Sequence, residues 1–116
     1  MPTVSWSTPI EHSSDATFRA WGSDLSTRFA LAGLVQTLDT GQINWLTVTR
    51  PGAITFAGYE IWRFNDTLQA TSPVFIKVEY GTANNATVPA LRITVSSGTN
   101  GAGTPTGLVT TARLAY

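Results

Sequence analysis

The chain has 116 residues, no cysteine, and seven Lys plus Arg against seven Asp plus Glu, for a formal net charge of zero. That length suits one domain around one core, and the missing cysteine excludes a disulfide framework, a thiolate metal site and a Cys nucleophile. With Lys77 the only lysine and the charges balanced, there is no electrostatic footprint for gripping a phosphate backbone, so nucleic acid is not an expected partner.

No run approaches the roughly 18 uninterrupted apolar residues that cross a bilayer, and the amino terminus lacks the basic-then-apolar order of a secretory signal. The expectation is a soluble chain with no membrane insertion. Charged residues make up 12% of it, against the usual value of about 25%. Hydroxyls take their place: nineteen threonines and nine serines, with five asparagines. Threonine is β-branched and polar, which suits the wet face of a pleated sheet. A surface with so little charge repulsion favours association with copies or neighbours.

Residues 1–14 hold Pro2, Pro9 and six Ser or Thr without a sustained period, and read as an extended arm ahead of a single β-rich domain spanning 15–116. Within the arm Trp6 and Ile10 are apolar enough to serve as contacts to a partner. From Asp15 to Gly33, Phe18, Trp21, Leu25, Phe29 and Ala32 recur at steps of three or four, which predicts one amphipathic helix. Ser13 or Ser14 can cap its start and Gly33 can close it. Gly22 lies inside at a cost of about 1 kcal/mol relative to Ala, which suggests close packing against another backbone.

After Gly41 the period falls to two. Ile43 to Thr49 is expected as a strand ended by Arg50-Pro51-Gly52, and Tyr59 to Phe64 as the next, with Trp62 and Phe64 on one side and Tyr59 and Ile61 on the other. Val74, Ile76, Val78 and Tyr80 alternate with Phe75, Lys77 and Glu79. Leu91, Ile93 and Val95 repeat that arrangement, so these two strands belong to one antiparallel sheet. The tract Ser96 to Gly107, SSGTNGAGTPTG, reads as a long turn or mobile loop, and Leu108 to Tyr116 as a returning strand. The fold class is mainly β: an antiparallel β-sandwich or sheet of five or six strands with one N-terminal helix.

Groups suited to catalysis are few. His12, the single histidine, sits beside Glu11 in the arm and reads as solvated; no second ligand lies at metal spacing and no serine has a nucleophile-elbow context. Glu60 and Glu79 fall near Arg63 and Lys77 on strands, where ion pairing is the plain account. Gly98, Gly101 and Gly103 have the order G-x-x-G-x-G followed by Pro105, with no helix to present N–H groups, so they make a turn and not a dinucleotide site. Trp21, Trp45 and Trp62 are expected in the core or at subunit contacts. No catalytic residue, metal ligand or cofactor is expected.

The segments INWLTVTRP, GYEIWRFNDTLQATSPVFIKVEYGT and PALRITVSSGTNGAGTPTG, between Ile43 and Gly107, resemble a group of structural proteins in the particles of tailed bacteriophages. The most specific stretch is Trp62 to Gly81, and the group has no catalytic motif to carry over. The resemblance implies a non-enzymatic virion protein on the tail side, in a fibre, baseplate or adsorption apparatus, in contact with other virion proteins and with copies of itself, as a homotrimer. A capsid decoration protein and a host-glycan-binding module are the alternatives. The adaptable contacts on this reading are Trp6 and Ile10 in the arm and Thr99, Asn100 and Gly101 in the glycine-rich turn.

Overall fold

The structure, a computed structural model, describes residues 12–114. Most of the expected arm, with Trp6 and Ile10, lies outside them. The order is α1 (Asp15–Leu31), β1 (Leu34–Gln36), β2 (Thr55–Phe64), β3 (Phe75–Thr82), β4 (Pro89–Thr99) and β5 (Pro105–Leu114), with a short 3₁₀ turn at Thr67–Ala70. The strands form one antiparallel sheet in the order β1-β2-β3-β4-β5, a meander in which every strand pairs with its sequence neighbour. Of the two architectures anticipated, the single sheet is the one formed.

Helix α1 starts where its cap chemistry dictates. The Ser14 side chain accepts from the Thr17 N–H while Thr17 reaches back to the Ser14 N–H, a capping box that satisfies two otherwise orphaned donors. Ala32 is the C-cap, and Gly33 follows at φ +96°. The helix lays Phe18, Trp21, Leu25 and Phe29 on the sheet, against Leu34, Trp62, Ile76, Val78, Tyr80 and Leu91. Phe18 and Val78 are fully buried, each a contribution of about 1.5–3 kcal/mol. Phe29 meets Trp62 with ring centroids 5.7 Å apart, and Trp21 meets Tyr80 edge-on at 5.7 Å.

Residues 43–49 are not a strand. The Asn44 side chain accepts the Leu46 N–H at 2.9 Å, and the Asn44 carbonyl accepts from Thr47 and Val48 at 3.2 and 2.9 Å. This local turn satisfies donors that a ladder would have used, and it outcompetes the alternating pattern. Arg19 fastens the turn to the helix through the Val48 carbonyl at 2.6 Å, and Asp15 accepts the Arg50 N–H at 2.8 Å. Trp45 is thereby inserted between helix and sheet. It packs edge-on against Tyr80 at 4.8 Å and near Phe18 at 5.9 Å. The helix yields at Gly22 to admit it: a Cβ there would stand 1.9 Å from a ring carbon of Trp45. The close neighbour of Gly22 is therefore an indole, not a backbone.

The tract from Ser96 to Gly107 also differs from expectation. β4 continues to Thr99 and β5 begins at Pro105, leaving only a tight tip between them. The Asn100 side chain accepts the Ala102 and Thr104 N–H groups at 2.8 and 3.1 Å, and its own N–H bonds back to the Thr104 carbonyl at 3.0 Å. Gly107, at φ +77°, forms a bulge where the pairing shifts between Ser96 and Gly98.

Candidate functional site

Four places hold polar groups or exposed surface of interest, and their geometry separates structural from functional roles. The first is the buried polar centre beneath α1. Glu60 is 2% exposed. It does not pair with Arg63, as its position in the sequence suggested. Its carboxyl oxygens instead accept from the Tyr80 hydroxyl at 2.7 Å, the Ser26 hydroxyl at 2.8 Å and the Trp45 Nε1–H at 3.2 Å. Burial, reinforced by the Glu60 charge and hydrogen bond, pushes the Tyr80 phenol well above its ordinary range, so it stays protonated and donates. These donors come from α1, β3 and the 44–48 turn, and they fix helix, turn and sheet relative to one another.

His12 belongs to the same layer. It is 2% exposed, not solvated. Its Nε2 lies 2.8 Å from the Thr82 hydroxyl, and its ring meets Phe18 and Trp21 edge-on at 5.5 and 6.0 Å. Burial, and secondarily the Arg50 charge, hold its pKa below the ordinary value. Among the described residues no three His, Asp or Glu side chains converge as a metal site would require.

On the opposite face of the sheet, Lys77, Glu79, Arg92, Thr94, Thr111 and Arg113 line an open cleft of about 440 Å³. It holds three cations, Lys77, Arg92 and Arg113, and one carboxylate, Glu79. Glu79 bonds to Arg92 and lies 3.5 Å from Lys77. Burial alone would raise the Glu79 pKa, but the two cations outweigh it and hold the group below the usual carboxylate range. The cations are further placed by rings, Lys77 over Tyr59 and Arg92 over Phe56, at 4.7 and 4.8 Å from the centroids.

The hairpin tip holds the three predicted contact residues that fall within the described chain. Thr99 pairs with Pro105 and is half-buried, whereas Asn100 and Gly101 are exposed. The tip docks on the 37–42 loop. Thr40 donates its N–H to the Gly101 carbonyl at 2.9 Å, and Gly103 donates to Asp39 at 3.2 Å. The tip is thus anchored on one side and open on the other.

Strand β5 is an exposed feature that sequence periodicity did not single out. The hydrophobic core beneath α1 extends as far as Leu91 on β4. On β5, every residue from Thr106 to Arg113 is exposed. Leu108 is 84% exposed and Val109 49%, and Val95 beside them is also exposed. Val95 and Leu108 continue with Pro73 and Val74 into a shallow, mostly apolar groove. The cue available in the sequence was the run Leu108-Val109-Thr110-Thr111-Ala112, which lacks both charge and a clear inside-outside alternation.

Comparison with protein-family models, with curated proteins and with solved structures found no match for this chain. Among the described residues no helix is long and apolar enough to cross a membrane.

Proposed function

We propose that this chain is a non-enzymatic structural component of a tailed-bacteriophage particle, on its tail side, that works by contact with copies of itself and with neighbouring particle proteins. The observation that carries the reading is the exposed strand β5, with apolar and hydroxyl side chains and a single charge, Arg113. An exposed strand of this kind offers a template for association. The two groups best suited to acid–base chemistry, Glu60 and His12, are engaged in holding α1 and the 44–48 turn to the sheet. The placement in a phage tail comes from the resemblance between Ile43 and Gly107.

The test is immunogold labelling, with antibody raised to the purified chain, of particles from a lysate that carries its gene. Label on tails supports the proposal. Label over the whole head supports capsid decoration instead. Particles that bear none, together with a purified chain that stays monomeric at high concentration, would refute the assembly role.

A further inference from the structure

We propose that the cleft on the face of the sheet opposite α1, lined by Lys77, Glu79, Arg92, Thr94, Thr111 and Arg113, binds an acidic saccharide, taking a sugar carboxylate on its cations and the neighbouring sugar hydroxyls on its threonines and Glu79. Such a site goes beyond the assembly reading and does not depend on it. The strand register lays out its floor. Glu79, Arg92 and Arg113 stand side by side on β3, β4 and β5, and Lys77, Thr94 and Thr111 stand side by side two residues along. The two rows are about 7 Å apart and each is about 10 Å across. The cleft, about 440 Å³ and open to solvent, falls within the range of about 300–1,000 Å³ usual for ligand sites.

Charge selects one half of the ligand. Three cations line the cleft against one carboxylate, Glu79, which is ionised at neutral pH, so two positive charges are in excess. The register also sets Arg92 directly opposite Arg113, and like charges directly opposite each other destabilise a sheet. Glu79 is the cross-strand neighbour of Arg92, not of Arg113. An anion seated over that row relieves the repulsion. Neither guanidinium has to release a partner to receive it. Both already interact within the chain, and a planar fork of five N–H donors takes on a further acceptor.

The mixture of groups selects the other half. A bare phosphate or sulfate would meet the Glu79 carboxylate as well as the cations, whereas a sugar hydroxyl donates to it. The Thr94 and Thr111 hydroxyls, 3.2 Å apart, can each donate and accept. Thr94 is 7% exposed, and the Lys77 and Glu79 side chains are 17% and 14% exposed. The floor is therefore held in place before a ligand arrives, which spares the cost of ordering it. Tyr59 beneath Lys77 and Phe56 beneath Arg92 prop the two cations in the same way. Val109, half exposed at the end of the cleft away from Arg113, offers apolar surface to the C–H side of a sugar ring. With a net charge of zero and a single lysine, the chain lacks the spread of cations that a phosphate backbone requires, and a short carboxylated sugar is the better match.

The probe is tetragalacturonate, which carries a carboxylate on every sugar, titrated calorimetrically into the full-length chain. Two controls divide its chemistry: its methyl ester keeps the hydroxyls and loses the charge, and tetraglutamate keeps the charge and loses the hydroxyls. Tetragalacturonate should bind about tenfold more tightly than either. Arg113→Gln removes one charge-assisted contact and should weaken binding about tenfold, and Thr111→Val about threefold, with unchanged circular dichroism. Backbone amide shifts on titration should cluster at Lys77, Thr94, Thr111 and Arg113. No binding of tetragalacturonate at millimolar concentration, equal binding of the methyl ester, or unchanged affinity in folded Arg113→Gln overturns the site. Tetraglutamate bound as tightly as tetragalacturonate assigns the cleft to an acidic peptide and overturns the saccharide. If Arg113→Gln does not fold, the amide shifts decide, and shifts centred elsewhere overturn the assignment. None of these results depends on finding the chain in particles, so the assembly reading is tested separately.

Discussion

Replacing Gly22 by Ala sets two physical effects of opposite sign against each other. Helix propensity favours Ala by about 1 kcal/mol at an interior position. Against this, the new Cβ would lie 1.9, 2.2 and 2.7 Å from three carbons of the Trp45 ring. Carbon atoms rest at about 3.5–4.0 Å, so the indole has to retreat by roughly 1.5 Å. It has little room to do so. Tyr80 and Phe18 stand at 4.8 and 5.9 Å, and the indole N–H is bonded to Glu60 at 3.2 Å. Retreat costs about 1–3 kcal/mol of overpacking strain and about 1 kcal/mol for the strained hydrogen bond. The net expectation is destabilisation of about 2 kcal/mol. For a domain of this size that corresponds to a fall in Tm of about 8 °C. Urea unfolding followed by far-UV circular dichroism measures it directly. The diagnostic step is the same substitution in a Trp45→Ala background, where the obstruction is gone and Gly22→Ala should stabilise by about 1 kcal/mol. A Gly22→Ala variant as stable as the parent, or an unchanged sign in the double variant, would refute the account of how Trp45 is seated.

Three further outcomes follow from the buried layer and one strained residue. Glu60→Gln turns one acceptor oxygen into a donor that faces existing donors, and should destabilise by about 1–3 kcal/mol in denaturant titration; an effect below half a kcal/mol would contradict the three-donor geometry. His12 has a folded pKa held below its ordinary 6.5, so the unfolded state binds more protons as pH falls below that value, and stability present above it is lost on acidification. Melting curves between pH 7.5 and 5 should show this loss in the parent and a flatter dependence in His12→Gln, in a window above the range where Glu79 becomes protonated. Ile54 is the one non-glycine residue described with positive φ, at 55°, and it is half exposed. Ile54→Asn should therefore stabilise by about 1 kcal/mol, since Asn tolerates that region and a β-branched residue does not, and a lower Tm would count against strain at this site.

Much of the fold is legible in the sequence because it depends on local periodicity. The 3.6 period from Phe18 to Phe29 and the alternation from Ile76 to Tyr80 each commit a face to the core whatever else the chain does. Ser14 caps the helix for an equally local reason. What escaped was decided by competition between local and distant partners. Ile43 to Thr49 alternates as a strand would, yet one Asn side chain at its start closes a turn, and Arg19, far away in sequence, holds that turn in place. His12 reads as solvated because it stands between Glu11 and Ser13-Ser14 in a segment without a sustained period; its burial depends on Phe18, Trp21 and Thr82 meeting around it. Glu60 was assigned to Arg63 by proximity along the chain, whereas its true partners are Ser26, Trp45 and Tyr80, which only tertiary packing assembles. The exposure of β5 was hidden for the same reason, since β5 carries strand chemistry without a marker of which face would go uncovered.

The exposure of β5 is a consequence of how few covering elements the described residues supply. A helix is about 10 Å across and neighbouring strands are about 4.8 Å apart, so one helix laid along a sheet hides roughly two or three strands. A five-stranded sheet with a single helix leaves the rest bare on that face unless loops fill in. The chain's long 37–54 connection is already committed: it seats Trp45 under α1, bonds through Thr37 and Gln42 to the backbone of Ile61, and docks the hairpin tip through Asp39. Nothing comparable remains among the described residues to shield β5. Its strength comes from the ladder to β4 and from the Thr94–Thr111 contact. A partner laid on β5 would bury Leu108 and Val109, which the described residues leave exposed, and the assembly reading is tested most directly there rather than at the buried carboxylate or the charged cleft.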